Sequence, residues 1–303
     1  MFTDNFRTIR LACEKNEIQL AVYSKYANNN KLSISDKDAD ELRSYQALCE
    51  YTLFTDVEKP NFLSVSKIEG LEDSLFPMIL KAGNINESHV ICYCKEAEVV
   101  AKQIVDGPAG QRQFIYHDGC HAIFIDVFKD RDNNISIITI NSMKSGDRYT
   151  PENDIARVMF NNDKVKNGQL SMLNLQTDIQ RSYTGCKYFS MAFAKQAAKD
   201  PYVIPQHQLN IAGAKSKMKN IRRVLGVKES ERVLGAAYYK HSHSLSRIKK
   251  LPLEKREEIV SSKGSLLERH LQYRVSKIDD DRRITFSQSI DLFRMKQIKK
   301  AVK

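Results

Sequence analysis

Tryptophan is absent from the 303 residues. No stretch approaches the roughly 18 consecutive apolar residues of a membrane-spanning helix, so no integral span is expected. The opening segment, MFTDNFRTIRLACEKNEIQ, carries charges throughout and lacks the apolar region of a secretory signal. Six cysteines stand at 13, 49, 92, 94, 120 and 186 without framework spacing, in a chain far larger than disulfide-stapled domains. That pattern predicts free thiols in a reducing compartment. His89, Cys92 and Cys94 are too closely spaced for a structural zinc site and have no second pair, so no metal is expected. No basic repeat is interleaved with aromatics, which argues against a single-strand nucleic-acid binder. An apolar content of 42% excludes a wholly disordered chain.

What is present is unevenly charged. The net charge is +11, yet residues 1–180 hold 20 Lys+Arg against 26 Asp+Glu, and residues 181–303 hold 28 against 11. A basic C-terminal third predicts an anionic partner: nucleic acid, acidic lipid or a highly phosphorylated small molecule. No nucleic-acid motif accompanies it.

Along the chain, residues 1–50 read as helical, with a break at Asn28-Asn29-Asn30 and a cap at Ser35-Asp36 for a second helix. Residues 55–85 alternate short apolar pieces with turn residues. The first half of HVICYCKEAEVVAKQIV has strand character. HAIFIDVF (121–128) and ISIITINS (135–142) are β-branched runs around a charged turn, a hairpin signal. With the loop at 129–133, symmetric pairing sets His121 opposite Asn141 on the face that carries Ile123, Ile125 and Val127, with Asp126 on the other face. The tail from 251 reads as two helical runs divided at Ser-Lys-Gly, then a strand or loop and a final helix.

The stretch QTDIQRSYTGCKYFSMAFAKQAAKD (176–200) organises the rest. Cys186, Phe189, Phe193 and Ala197 share a helix face, and Asp200-Pro201 ends the helix. Cys186 therefore lies in the first turn, where unpaired N–H groups and the helix dipole favour a thiolate. A free cysteine is ordinarily a buried, inert residue; an available base changes that reading. Nucleophilic cysteine catalysis needs a thiolate, an imidazole, a group that fixes the imidazole tautomer, and an oxyanion donor. Cys186, His121, Asn141 and Gln180 fill those roles in that order. His117 and Cys120 precede the strand and have no evident partner.

The order of these blocks resembles the YopJ family of bacterial type III secreted effectors. QRSYTGCKYFSMAFAK is similar to that family's nucleophile block, HAIFID to its histidine block, and AAYYKHSHSLSRI (236–248) to its Tyr-Lys-His stretch. The resemblance implies an α+β fold with a Clan CE cysteine-protease-like core, a central mixed sheet flanked by helices. It divides the chain into a helical region 1–60, a catalytic core 61–210 and a basic, mainly helical regulatory region 211–303. It also implies acetyl transfer from acetyl-CoA through Cys186 to Ser, Thr or Lys of a host signalling protein, after secretion into the host cytoplasm, with inositol hexakisphosphate as activator. Such a polyphosphate needs a cluster of Lys, Arg and His donors. Lys240, His241 and Arg247 are the candidates from the matched block, and Arg222 and Arg223 from charge alone. The family usually carries Glu or Asp where this chain has Asn141, and an amide cannot supply negative charge to an imidazolium. A cysteine protease acting on ubiquitin-like proteins would use the same residues, and a catalytically weak protein that binds host partners is the reading from another class.

Overall fold

The computed structural model describes residues 41–46, 62–83, 91–144, 150–181, 185–279 and 282–301. A helical segment over 41–46 precedes α1 (Phe62–Gly83), β1 (Ile91–Cys94), α2 (Ala97–Asp106), β2 (Gly110–His117), β3 (Ala122–Lys129), β4 (Ile135–Asn141) and α3 (Pro151–Phe160). Next come β5 (Leu170–Gln176), α4 (Cys186–Ala197), α5 (Val203–Lys217), β6 (Ile221–Leu225), α6 (Val227–Val233) and a 3-10 turn (Ala236–Tyr239). The C-terminal part holds α7 (Leu245–Lys249), α8 (Leu253–Glu257), β7 (Ile259–Ser261), β8 (Gly264–Ser265), α9 (Leu266–Gln272), β9 (Arg274–Asp279), β10 (Arg282–Ser287) and α10 (Ser289–Ala301). The expectations over 1–40, including the Asn28 break and the Ser35 cap, and at His89, lie outside the described residues.

The six-stranded sheet has spatial order β1 to β6, the same as the sequence order. The β2–β3 and β3–β4 pairs are antiparallel, and β1–β2, β4–β5 and β5–β6 are parallel. Parallel neighbours need a crossover, which the helices between them provide. The sheet is thus covered on both faces, which is why β3 and β4 are apolar nearly throughout rather than alternating. Ile123, Ile125, Val127, Ile135 and Ile137 pack on α2 and α3. Ala122, Phe124, Ile138 and Ile140 pack on the opposite side with α4, α1 and α10. Asp126 lies on the side away from Ile125, as expected, and is buried with its carboxylate bonded to Gln111, Gln113 and His207.

The hairpin register differs from the symmetric one. Phe124 pairs with Ile140 and Lys129 with Ile135, so His121 stands diagonal to Asn141, just before β3 begins, rather than directly opposite it. The turn is the cause. Asp130 accepts from the backbone N–H of Asp132 (2.9 Å) and Asn134 (2.8 Å), and Asn133 takes φ 65°. That Asx turn starts one residue later than assumed, while Lys129 stays in the strand with its amine on the Val105 and Gly107 carbonyls. The shift is two residues in pairing, so each side chain keeps its face.

A second correction concerns 55–85, read as short pieces with turns: residues 62–83 form one 22-residue helix with Pro77 inside it. Its buried Leu75, Phe76, Ile79 and Leu80 join the core with α4, and that burial outweighs the local turn signals. In the tail, the Ser-Lys-Gly break holds a small β7–β8 hairpin with Gly264 at φ 108°, and YRVSKI supplies β9 rather than helix.

Candidate active site

Cys186 is the first residue of α4 and is 6% exposed. Gly185 before it takes φ 97°, a left-handed turn that swings the chain into the helix. Tyr188, Phe189, Met191 and Phe193 bury the helix on several sides, so the position of Cys186 is fixed by packing rather than by a side-chain cap. His121 hydrogen-bonds Cys186, and its Nε2 lies 2.8 Å from Asn141 Oδ1. The backbone N–H of His121 is held by Asp118 Oδ1 at 2.7 Å, which orients the residue from the turn that precedes β3.

The Asn141 amide has one possible orientation. Its Oδ1 also accepts from the Met143 backbone N–H at 2.8 Å, an obligate donor, and its Nδ2 donates to Glu152 Oε1 at 2.7 Å. An oxygen facing Nε2 requires the proton there. The neutral His121 tautomer therefore leaves Nδ1 to meet the Cys186 sulfur. Burial alone pushes the imidazole toward its neutral form. The hydrogen bond and charge of Cys186, the Asn141 bond and the Glu152 charge outweigh it and raise the pKa to about 9.

Gln180 is buried, and its Oε1 accepts from Ser142 Oγ at 2.6 Å. The backbone N–H groups of Ile179 and Gln180 both reach the Ser142 carbonyl (2.8 and 3.0 Å). The segment leading to Cys186 is thus stitched to the end of the strand that carries Asn141. The 236–248 block clamps it from the other side: His243 N donates to Ile179 O, and Arg181 N donates to His243 Nδ1, each at 3.0 Å. Burial, with Arg294 and Arg181 nearby, lowers His243 to about 4, so it accepts as a neutral ring.

The five candidate anion-binding residues separate. Burial, then the charges of Arg269 and Lys199, lower Lys240 to about 8. His241 is buried beside it, its Nδ1 on the Ser289 hydroxyl at 2.9 Å. Arg247 is buried and committed to protein partners: Nε donates to Thr177 O at 2.8 Å, Nη1 pairs with Glu231, and the guanidinium lies over Tyr239. Arg222 and Arg223 are exposed on β6, and Arg222 reaches Asn153 Oδ1 beside Glu152.

Sequence reasoning missed two features. One is Glu152, at the proline-led start of α3; Thr150-Pro151-Glu152 signals a helix start but not what its carboxylate faces. The other is a cationic cluster. Lys195 is lowered to about 7 by burial and by Lys300, Lys296, Lys240 and Lys199, so α4, the 3-10 turn and α10 bring five amines together. Among the described residues no helix is long and apolar enough to cross a membrane.

The chain's fold is similar to that of an AvrA deletion variant solved with IP6 and CoA, at 17% identity and TM-score 0.66, covering 90% of this chain and 100% of that one. It is similar to HopZ1a in complex with IP6 and CoA, at 15% identity and TM-score 0.69, covering 94% and 97%. HopZ1a with IP6 alone gives 16% identity, TM-score 0.65, and coverage of 88% and 96%. No curated protein sequence matches. The family described as YopJ Serine/Threonine acetyltransferase matches residues 67–300. With that match across most of its length, the chain belongs to the YopJ serine/threonine acetyltransferase family.

Proposed function

We propose that the protein takes an acetyl group from acetyl-CoA onto Cys186 and passes it to Ser, Thr or Lys of a host signalling protein, with inositol hexakisphosphate as activator. The observation that carries this reading is the Cys186–His121–Asn141 chain of hydrogen bonds at the start of a buried helix. The thiolate attacks the thioester carbonyl, and the oxyanion is met by N–H donors of the α4 first turn and by Gln180. Collapse breaks the bond to the CoA sulfur, which leaves with the proton held by His121. The acylated sulfur no longer carries charge, so the contribution that held His121 protonated is gone and burial favours the neutral ring. Nδ1 is then a base for the incoming hydroxyl or amine, and Cys186 leaves as thiolate.

The Lys195, Lys199, Lys240, Lys296 and Lys300 cluster, with Arg269 near Lys240, is the proposed activator site. A cluster of amines, in which Lys195 and Lys240 are held at lowered pKa values, suits a multiply charged anion. In this reading Arg247 braces the core, and Arg222 serves α3. Incubation with labelled acetyl-CoA, with and without inositol hexakisphosphate, tests the proposal. Label should appear on the protein and on acceptor peptides only with the activator, and should be absent in Cys186→Ala. Label that persists unchanged in that variant would refute it.

A further inference from the structure

Glu152 is a residue whose surroundings need explaining. It is 2% exposed, and among the described residues its carboxylate makes one hydrogen bond, to Asn141 Nδ2, and no ion pair. Its second oxygen, Oε2, is buried without a partner. A carboxylate so placed is costly unless a cation nearby repays the lost hydration. Among the described residues, two cations share its field. Arg222 is exposed and spends its hydrogen bond on Asn153. The other is the His121 imidazolium, on the far side of the Asn141 amide.

We propose that Glu152 is a positioning residue that acts through Asn141, the two together doing what one carboxylate beside the imidazole would do. Asn141 fixes the tautomer, and Glu152 provides the negative charge that an amide lacks. The chain is polarised in one direction: His121 Nε2–H to Asn141 Oδ1, Asn141 Nδ2–H to Glu152 Oε1. No proton moves along it. Charge on Glu152 strengthens the amide as an acceptor and stabilises the protonated ring. Among the described residues, the other titratable groups facing His121 are Cys186 on α4 and His117 at the end of β2. His117 is buried and held neutral, its pKa lowered by burial and then by Lys187, so it adds no positive charge at neutral pH. Asp118 faces the backbone N–H of His121 rather than its ring.

This inference rests on the proposed Cys186–His121 pair, and the experiment separates the two. The His121 ring is titrated by NMR in the full-length protein, assigned by difference against His121→Gln, alongside acetyl-transfer rates. Glu152→Gln keeps a hydrogen-bond acceptor for Asn141 and removes only the charge. The titration midpoint should fall from about 9 by about one pH unit, with transfer slowed about tenfold. Asn141→Asp alone should fare no better than wild type, because it sets two carboxylates against each other. In the double variant Asn141→Asp/Glu152→Gln, the charge moves next to the ring and the new amide at 152 donates to it. That variant should recover the midpoint and rate lost in Glu152→Gln.

A folded Glu152→Gln with unchanged midpoint and rate overturns the inference, as does a double variant no better than Glu152→Gln. Should Glu152→Gln fail to fold, the double variant decides alone: a midpoint at or above the wild-type value supports the inference, and one near an unperturbed imidazole overturns it. If Cys186→Ala leaves the His121 midpoint unmoved, the paired-site reading itself fails, whatever happens at Glu152.

Discussion

Gly185 sets the geometry of Cys186 with one backbone angle. At φ 97° it lies in the left-handed region, and a Cβ there would come within 3.2 Å of Arg294 Nη2. Gly185→Ala should therefore destabilise the protein by about 1–2 kcal/mol, read from urea unfolding. It should also lower the rate at which Cys186 is alkylated by iodoacetamide, since any relief moves the first turn of α4. Unchanged stability and alkylation would show that the turn tolerates a side chain. At this scale much of the candidate site was legible: Cys186 from its helix-start context, Asn141 from the strand that holds it and His121 from its place just ahead of one. Glu152 was not, because no pattern in the chain says that a helix start eleven residues past Asn141 turns back to meet it.

The elements show where pattern reading works and where it stops. The β3–β4 hairpin was readable because β-branched runs around an Asp/Asn-rich turn have few alternatives. Its register was off because Asp130, not Lys129, starts the turn, a choice made by side-chain hydrogen bonds to the backbone. The α1 helix was hidden by Pro77 and by short apolar pieces, and tertiary burial created it. Its middle also anchors α4 at the residue after Cys186. Buried Lys187 pairs with Asp73 at 2.6 Å and Glu72 at 3.4 Å, and Arg294 of α10 approaches Glu72 at 3.6 Å. Lys187→Met takes the shared cation from buried Glu72 and partly buried Asp73, leaving Asp73 with Lys95 at 2.8 Å, so it should cost about 3 kcal/mol in urea unfolding. The Lys187 charge holds Asp73 ionised against the burial that opposes it, well below the usual carboxylate range. That stabilisation is present above the ordinary Asp range and is lost as pH falls toward the lowered folded value. The wild type should therefore lose its advantage over Lys187→Met on acidification. A variant within 0.5 kcal/mol of wild type at neutral pH, taking about ±0.5 kcal/mol as the surface-substitution range, would contradict this account of the cluster.

Across the whole molecule, the uneven charge that the sequence displays becomes a place. Lys195 and Lys199 come from α4 and the turn after it, Lys240 from the block after the 3-10 turn, and Lys296 and Lys300 from α10. Composition announced an anionic partner, but only the packing of α10 beside α4 could say which lysines converge. Lys195→Ala and Lys240→Ala should each weaken inositol hexakisphosphate binding about tenfold or more by calorimetry. Lys215→Ala should leave it unchanged, since that amine pairs with Asp130 and Asp132 at the hairpin turn. Equal binding by all three variants would move the activator site elsewhere.

The most direct measurement of the central claim is mass spectrometry of the protein quenched in acid after exposure to acetyl-CoA and inositol hexakisphosphate without an acceptor. The account predicts a hydroxylamine-labile acetyl group on the peptide containing Cys186, missing from Cys186→Ala and sharply reduced in His121→Gln. An acetyl group found only on other residues, or a Cys186 peptide that stays unmodified while acceptors are acetylated, would contradict it.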